Sequence, residues 1–223
     1  MTEPRGRDGS QARRWLSLAP RVAAIALVAQ ALLMRWADSS TSLAMPLRTA
    51  AYLAIAALGV AQLVSLATLA LHVLPRWATA GLAAWAVGWL SVTLDTSALI
   101  RWSLGAPFPV MRHQLGGYPE LIQLVATAGG LALGAALIAA IRDRRFRHSA
   151  IVLLVGHAAF GVSAAVTEYR LELATDFPTI ASLRADRELA DVIAAVALAG
   201  VLWLYWRHVA RRRSDRDSSE RSP

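Results

Sequence analysis

Six windows of mostly apolar residues recur along the chain, each separated from the next by charged or helix-breaking residues. They run from Leu18 to Trp36, Arg48 to His72, Trp77 to Ile100, Glu120 to Ile141, Ser149 to Glu168 and Glu188 to Trp206. A helix rising ~1.5 Å per residue needs ~20 such residues to cross ~30 Å of hydrocarbon. The stretches Thr49 to Leu71 and Leu121 to Ile141 contain no Asp, Glu or Arg at all. The pattern therefore predicts an all-α, polytopic transmembrane helical bundle of about six spans.

The first window is the shortest in uncharged core, because Pro20 and Arg21 interrupt its start and Arg13-Arg14 precede it as in a signal peptide. Its far end reads Met34-Arg35-Trp36-Ala37-Asp38, which lacks the small-x-small pattern a signal peptidase favours. It is expected to be a retained span.

The links differ in character. His72 to Arg76 is too short for anything but a tight antiparallel hairpin. Residues 101–119 carry Gly105, Pro107, Pro109, Gly116, Gly117 and Pro119, a density of breakers that predicts an irregular connection. Residues 169–187, mixed in charge and interrupted by Pro178, are also expected to be irregular. The division expected is a basic N-terminal tail over 1–17, a six-helix membrane domain over 18–207 and a disordered tail over 208–223. The first three spans and the last three share no convincing register, so no inverted repeat is assigned.

Composition agrees with lipid as the solvent: 56% of residues are hydrophobic, only 17% are charged, and mean hydropathy is +0.44. All 23 basic residues are Arg, and the net charge is +8. Sixteen of them fall in the tails and in one alternate set of connections, and seven in the other, so the positive-inside rule places both termini in the cytoplasm. Trp36, Trp77, Trp102, Trp203 and Trp206 stand at window ends, where indoles prefer the headgroup level. Lipid headgroups explain the basic charge better than nucleic acid, since no basic face with interleaved aromatics lies outside the spans. The localisation expected is the cell membrane, with the bilayer as the first partner.

The absence of Cys removes disulfides, thiolate metal sites and covalent haem attachment, and the absence of Lys removes a Walker-A loop and any Schiff-base cofactor. Paired-histidine haem does not fit either. His72 lies near a span end and His157 about nine residues deep, a mismatch of ~12 Å. Gly161-Val162-Ser163 is followed by Ala165 inside a span, not by the glycine of a nucleophile elbow. No cofactor and no metal site are assigned.

An ionisable side chain inside hydrocarbon costs on the order of 3 kcal/mol on insertion scales, so each one needs a reason. Asp95 continues a stripe of small and polar positions, Ala84, Gly88 and Ser91, that another helix can approach closely. Trp85 and Trp89, on the adjacent stripe, face either lipid or a partner helix. Glu120, Glu168 and Asp191 share the depth of Asp95, and the four would form an acidic ring around the outer mouth.

Three have plainer explanations too, while Glu168, with the like charge of Glu172 one turn on, is less easily dismissed. Asp95 can reach water, Arg48 or Arg101; Glu120 complements a helix N-terminus; Asp191 follows Arg187 by four residues as in an ordinary helix ion pair. His157 is the strongly polar ionisable side chain nearest the middle of a span. It suits a proton relay, a ligand site or a catalytic base, or else a neutral histidine hydrogen-bonded to a neighbouring helix. Gly130 and Gly134 form a GxxxG pair that marks close packing, within the chain or between copies.

The candidate polar cavity is therefore Asp95, Glu120, His157, Glu168 and Asp191. The functional expectation is a small transporter or permease-like protein, or an accessory subunit of a membrane complex with a membrane-protein partner or a second copy. The alternative is an intramembrane enzyme acting on a lipid or isoprenoid-like substrate by carboxylate and histidine acid-base chemistry.

Overall fold

The computed structural model describes residues 8–39, 45–103 and 119–219, and every described element is helical. Six helices follow in order: α1 Asp8–Ser39, α2 Met45–His72, α3 Ala78–Ser103, α4 Pro119–Ala140, α5 Arg144–Leu173 and α6 Phe177–Ser219. Five of them, α1, α2, α4, α5 and α6, are long and apolar enough to cross a membrane. The expected third window corresponds to α3. The breaker-rich segment 104–118 lies outside the described residues.

The α2–α3 link is the expected hairpin. The Val73 and Leu74 amides donate to Leu69 O, and Ala78 N donates to Pro75 O, so α2 closes and α3 opens within five residues. The α5–α6 link departs from expectation. Residues 169–187 are not an irregular loop: α5 runs to Leu173, α6 begins at Phe177, and only three residues connect them. Pro178 does not interrupt the helix because it lies in the first turn, where no intrahelical N–H bond is needed. Asp176 caps that turn, its carboxylate accepting from Thr179 N at 2.9 Å.

The ends of the chain are also more helical than composition suggests. α1 starts at Asp8 and α6 continues to Ser219, through most of the segment expected to be an irregular tail. Extending an existing helix costs little once it is nucleated, and Arg is a good helix former. At 43 residues α6 is about 65 Å long, twice the hydrocarbon thickness. Pro20 sits inside α1 without ending it and is fully buried.

Each helix packs against its neighbours in sequence and α6 returns to α1, closing a ring of six, with a slighter contact between α4 and α6. Packing relies on small residues, among them Ala23, Ala78, Ala136, Ala150 and Ala164, each essentially inaccessible. In lipid there is no hydrophobic drive between helices, so close backbone approach and van der Waals contact must hold them. Outward faces are apolar instead: Leu53, Val60, Val64 and Leu71 on α2, and Val152, Val155, Val162 and Val166 on α5, are exposed. That surface suits lipid and not water.

The core is uneven along the bundle axis. The large apolar cluster, including Leu27, Leu66, Leu69, Leu133, Leu137, Ile141, Leu198 and Leu202, fills the end that carries the α2–α3 and α4–α5 turns. This is the basic end. Towards the opposite end the second buried cluster joins only α1 and α2, through Ala37, Ala51, Tyr52 and Ile55. There the interior between α4, α5 and α6 is polar.

Candidate functional site

At the opposite end, three helices bring charge together. Arg187 on α6 sets its Nε 3.0 Å from Glu168 Oε2 on α5 and 3.6 Å from Asp191 Oδ2, one turn along its own helix. From α4, Gln123 donates its amide N–H to Asp191 Oδ1 at 2.8 Å. Two carboxylates thus share one guanidinium and one amide. The Glu168 contact is an ion pair without hydrogen-bond alignment, which leaves Oε2 without a donor. Glu168 is the more enclosed partner at 18% side-chain exposure, against 42% for Arg187.

Helix periodicity explains why these groups meet. Glu120, Gln123, Thr127 and Gly130 recur on α4 at spacings of three and four, one face of the helix. Thr127 returns its hydroxyl hydrogen to Gln123 O at 2.8 Å, so it adds no free donor to the seam. Across from it, Gly161 on α5 approaches so closely that a Cβ there would collide with the Thr127 side chain.

Deeper along the same seam stands His157, buried at 4% exposure. Its Nδ1 lies 3.0 Å from Ala194 O on α6; the carbonyl can only accept, so Nδ1 carries the hydrogen. Nε2 abuts Gly130, where any Cβ would collide with it, and the Trp85 ring edge closes the same contact. The two rings are 6.4 Å apart at 45°. Nε2 has no hydrogen-bond partner of acceptable geometry, although the Thr127 backbone lies close enough to act on the ring. This is the arrangement of a histidine that ties neighbouring helices together.

The GxxxG pair is consumed inside the molecule. Gly130 admits His157, and Gly134 admits Leu154, both on α5. Trp85 and Trp89 face partner helices, Trp85 towards α4 and α5 and Trp89 towards Gly59 on α2.

Of the residues expected to form a site, Glu168 and Asp191 are brought together through Arg187. Glu120 lies one turn before Gln123 on the same face of α4, and its Oε2 is buried without a hydrogen-bond partner. His157 is eleven residues from Glu168 along α5, ~16 Å, and does not touch the ion pairs. Asp95 belongs to α3, and the stripe it continues faces α4, since Gly88 approaches Ala126 and Ala84 approaches Gly129. Its side chain lies outside the described residues.

Sequence reasoning did not assign Gln123 or Arg187 to the site. The polar spacing on α4 was a usable signal for Gln123; nothing local distinguishes Arg187 from an ordinary i,i+4 partner. Among the described residues no three His, Asp or Glu side chains converge to hold a metal ion. A groove of about 240 Å³ between α1 and α2, lined by Trp15, Ser65 and Thr68 among others, lies apart from all of these groups. Comparisons with protein-family models, curated proteins and solved structures returned no match.

Proposed function

We propose that this protein is a small permease-like carrier of the cell membrane, with both termini cytoplasmic and α3 completing six spans. The observation that carries the reading is the asymmetry of the interior. An apolar plug fills the basic end, and a charged and amide-bearing seam occupies the opposite end down to His157. With the basic end cytoplasmic by the positive-inside rule, the polar half faces outward. A closed inner half below a polar outer half is the form of a solute site in its outward-facing state.

Two observations weigh against the other expectations. The GxxxG pair, the best candidate for a partner interface, is occupied by His157 and Leu154 of the same chain. Glu168 and Asp191 share Arg187, and Asp191 also accepts from Gln123, so both carboxylates are engaged by partners within the protein.

The test is uptake into proteoliposomes under an imposed proton or potential gradient, using an amine, an amino acid and a neutral polyol as trial solutes. Gradient-dependent accumulation of an unchanged solute, at least several-fold reduced in Asp191→Asn, is expected. A product of altered mass formed in detergent without a gradient would overturn the carrier reading in favour of catalysis.

A further inference from the structure

Close approaches between helices fix which residues share one depth in the bundle. Gly59 on α2 lies against Trp89 on α3. These helices are antiparallel across a five-residue turn, so one turn towards the basic end on each brings Gln62 level with Trp85. On α4 the same level is Gly129 and Gly130, because Gly129 meets the Trp85 backbone. Gly130 meets His157 on α5, and His157 meets Ala194 on α6. Gln62, Trp85 and His157 therefore belong to one cross-section, at the upper boundary of the apolar plug.

Each of the three contributes a buried nitrogen with no hydrogen-bond partner in the protein: Gln62 Nε2, Trp85 Nε1 and His157 Nε2. Gln62 is 97% buried, being only 3% exposed, and lies on the inward face of α2 with Ile55, Gly59 and Leu66. An amide N–H left without an acceptor in such surroundings carries its desolvation penalty in full. The Gln62 and Trp85 nitrogens, left open in one layer, mark a place where something else supplies the partner, whereas His157 Nε2 is closed off by Gly130 and Trp85.

The three nitrogens differ in what they ask for. Gln62 Nε2 and Trp85 Nε1 can only donate. His157 Nε2, with Nδ1 committed to Ala194 O, can only accept while the ring is neutral, and Gly130 and the Trp85 edge enclose it. The accessible demand of the layer is for an oxygen acceptor. No Asp, Glu or Arg lies at this level among the described residues. The nearest carboxylate, Asp191, is one turn further out and already holds Gln123 and Arg187. An ion here would lack an adjacent counter-charge in low dielectric, which disfavours it against an uncharged solute.

We propose that Gln62 and Trp85 form the floor of the carrier's site and bind the oxygen of a small uncharged carbonyl or hydroxyl solute, excluding ions. This rests on the carrier reading above for its functional sense, but binding is measurable separately from uptake.

The experiment is fluorine NMR of the full chain labelled with 5-fluorotryptophan, with the Trp85 resonance assigned by its loss in Trp85→Phe. Acetamide, urea and glycerol are titrated against sodium acetate and tetramethylammonium chloride. A saturable shift of the Trp85 line with at least one uncharged solute, absent with both salts and lost in Gln62→Leu, is expected. The other tryptophan lines report that Gln62→Leu is folded.

No shift with any uncharged solute would overturn the proposal and leave the layer to ordered water. An equal shift with the salts would overturn it as well. A specific shift without vesicle uptake of the same solute would sustain the binding layer while removing the carrier reading. Uptake of ions with a silent Trp85 line would do the reverse.

Discussion

Gly130 shows how one missing Cβ organises this protein. His157 is held by its bond to Ala194 O, Trp85 closes one side of Nε2, and α4 can approach only because position 130 has no side chain. Gly130→Ala therefore has no inexpensive rearrangement: the ring must break its bond or α4 must move. Overpacking of this kind costs about 1–3 kcal/mol. Gly156→Ala is the matched control, since its new Cβ would meet only Ala197 Cβ, at an ordinary 3.8 Å. Both substitutions gain the same ~1 kcal/mol of helix propensity, so their difference isolates the collision. Thermal unfolding in detergent should place Gly130→Ala several degrees below wild type and Gly156→Ala at or above it. Equal melting temperatures would show that His157 is not pinned as described.

At the scale of elements, the sequence was legible where hydrophobicity had a long period and opaque where a connection depended on one cap. The second and fourth windows coincide with α2 and α4, and His72 to Arg76 becomes the expected hairpin, because uninterrupted apolar runs leave no alternative. Residues 169–187 mislead because Pro178 is read as a breaker when it stands mid-helix but is welcome in a first turn, and only the position of Asp176 distinguishes the two. The site was half legible for the same reason. The carboxylates stand out as charges near apolar runs, whereas Arg187, their shared partner, is identifiable only once α5 and α6 are side by side.

The α5–α6 turn has a pH signature. The Asp176 carboxyl is held below its ordinary value of 3.8, first by the Thr179 backbone amide and then by the Thr179 hydroxyl. With its pKa lowered in the folded state, the cap is fully formed above the unfolded value and is lost as pH falls through the folded one. The protection factors of the Thr179 and Ile180 amides, measured against the intrinsic exchange rate at each pH, should therefore be high at neutral pH and fall in acid below the carboxylate range. Asp176→Asn, which cannot ionise, should show no such acid dependence. An acid step that persists in Asp176→Asn would assign it to another group.

On the scale of the whole molecule, orientation and interior asymmetry are linked, because the same end that gathers arginine also holds the apolar plug. A chain without cysteine makes both testable with single introduced thiols and a membrane-impermeant maleimide on intact cells. Thr175→Cys, in the exposed α5–α6 turn, should react at once from outside. Ala140→Cys, exposed at the basic end, should react only after permeabilisation. The reverse order would invert the topology and turn the polar half towards the cytoplasm. Two thiols on α4 then separate the halves of the interior. Gln123→Cys, beside Asp191, should be labelled from outside if the carrier reading holds. Ala136→Cys, at 0% exposure among the plug residues, should resist from either side. If Ala136→Cys reacted from the outside as fast as Gln123→Cys, water would pass the plug and the closed inner half would not exist. If it reacted from the cytoplasmic side alone while Gln123→Cys stayed silent, the resting state would open inward, and the solute would be released, not captured, at the layer of Gln62 and Trp85.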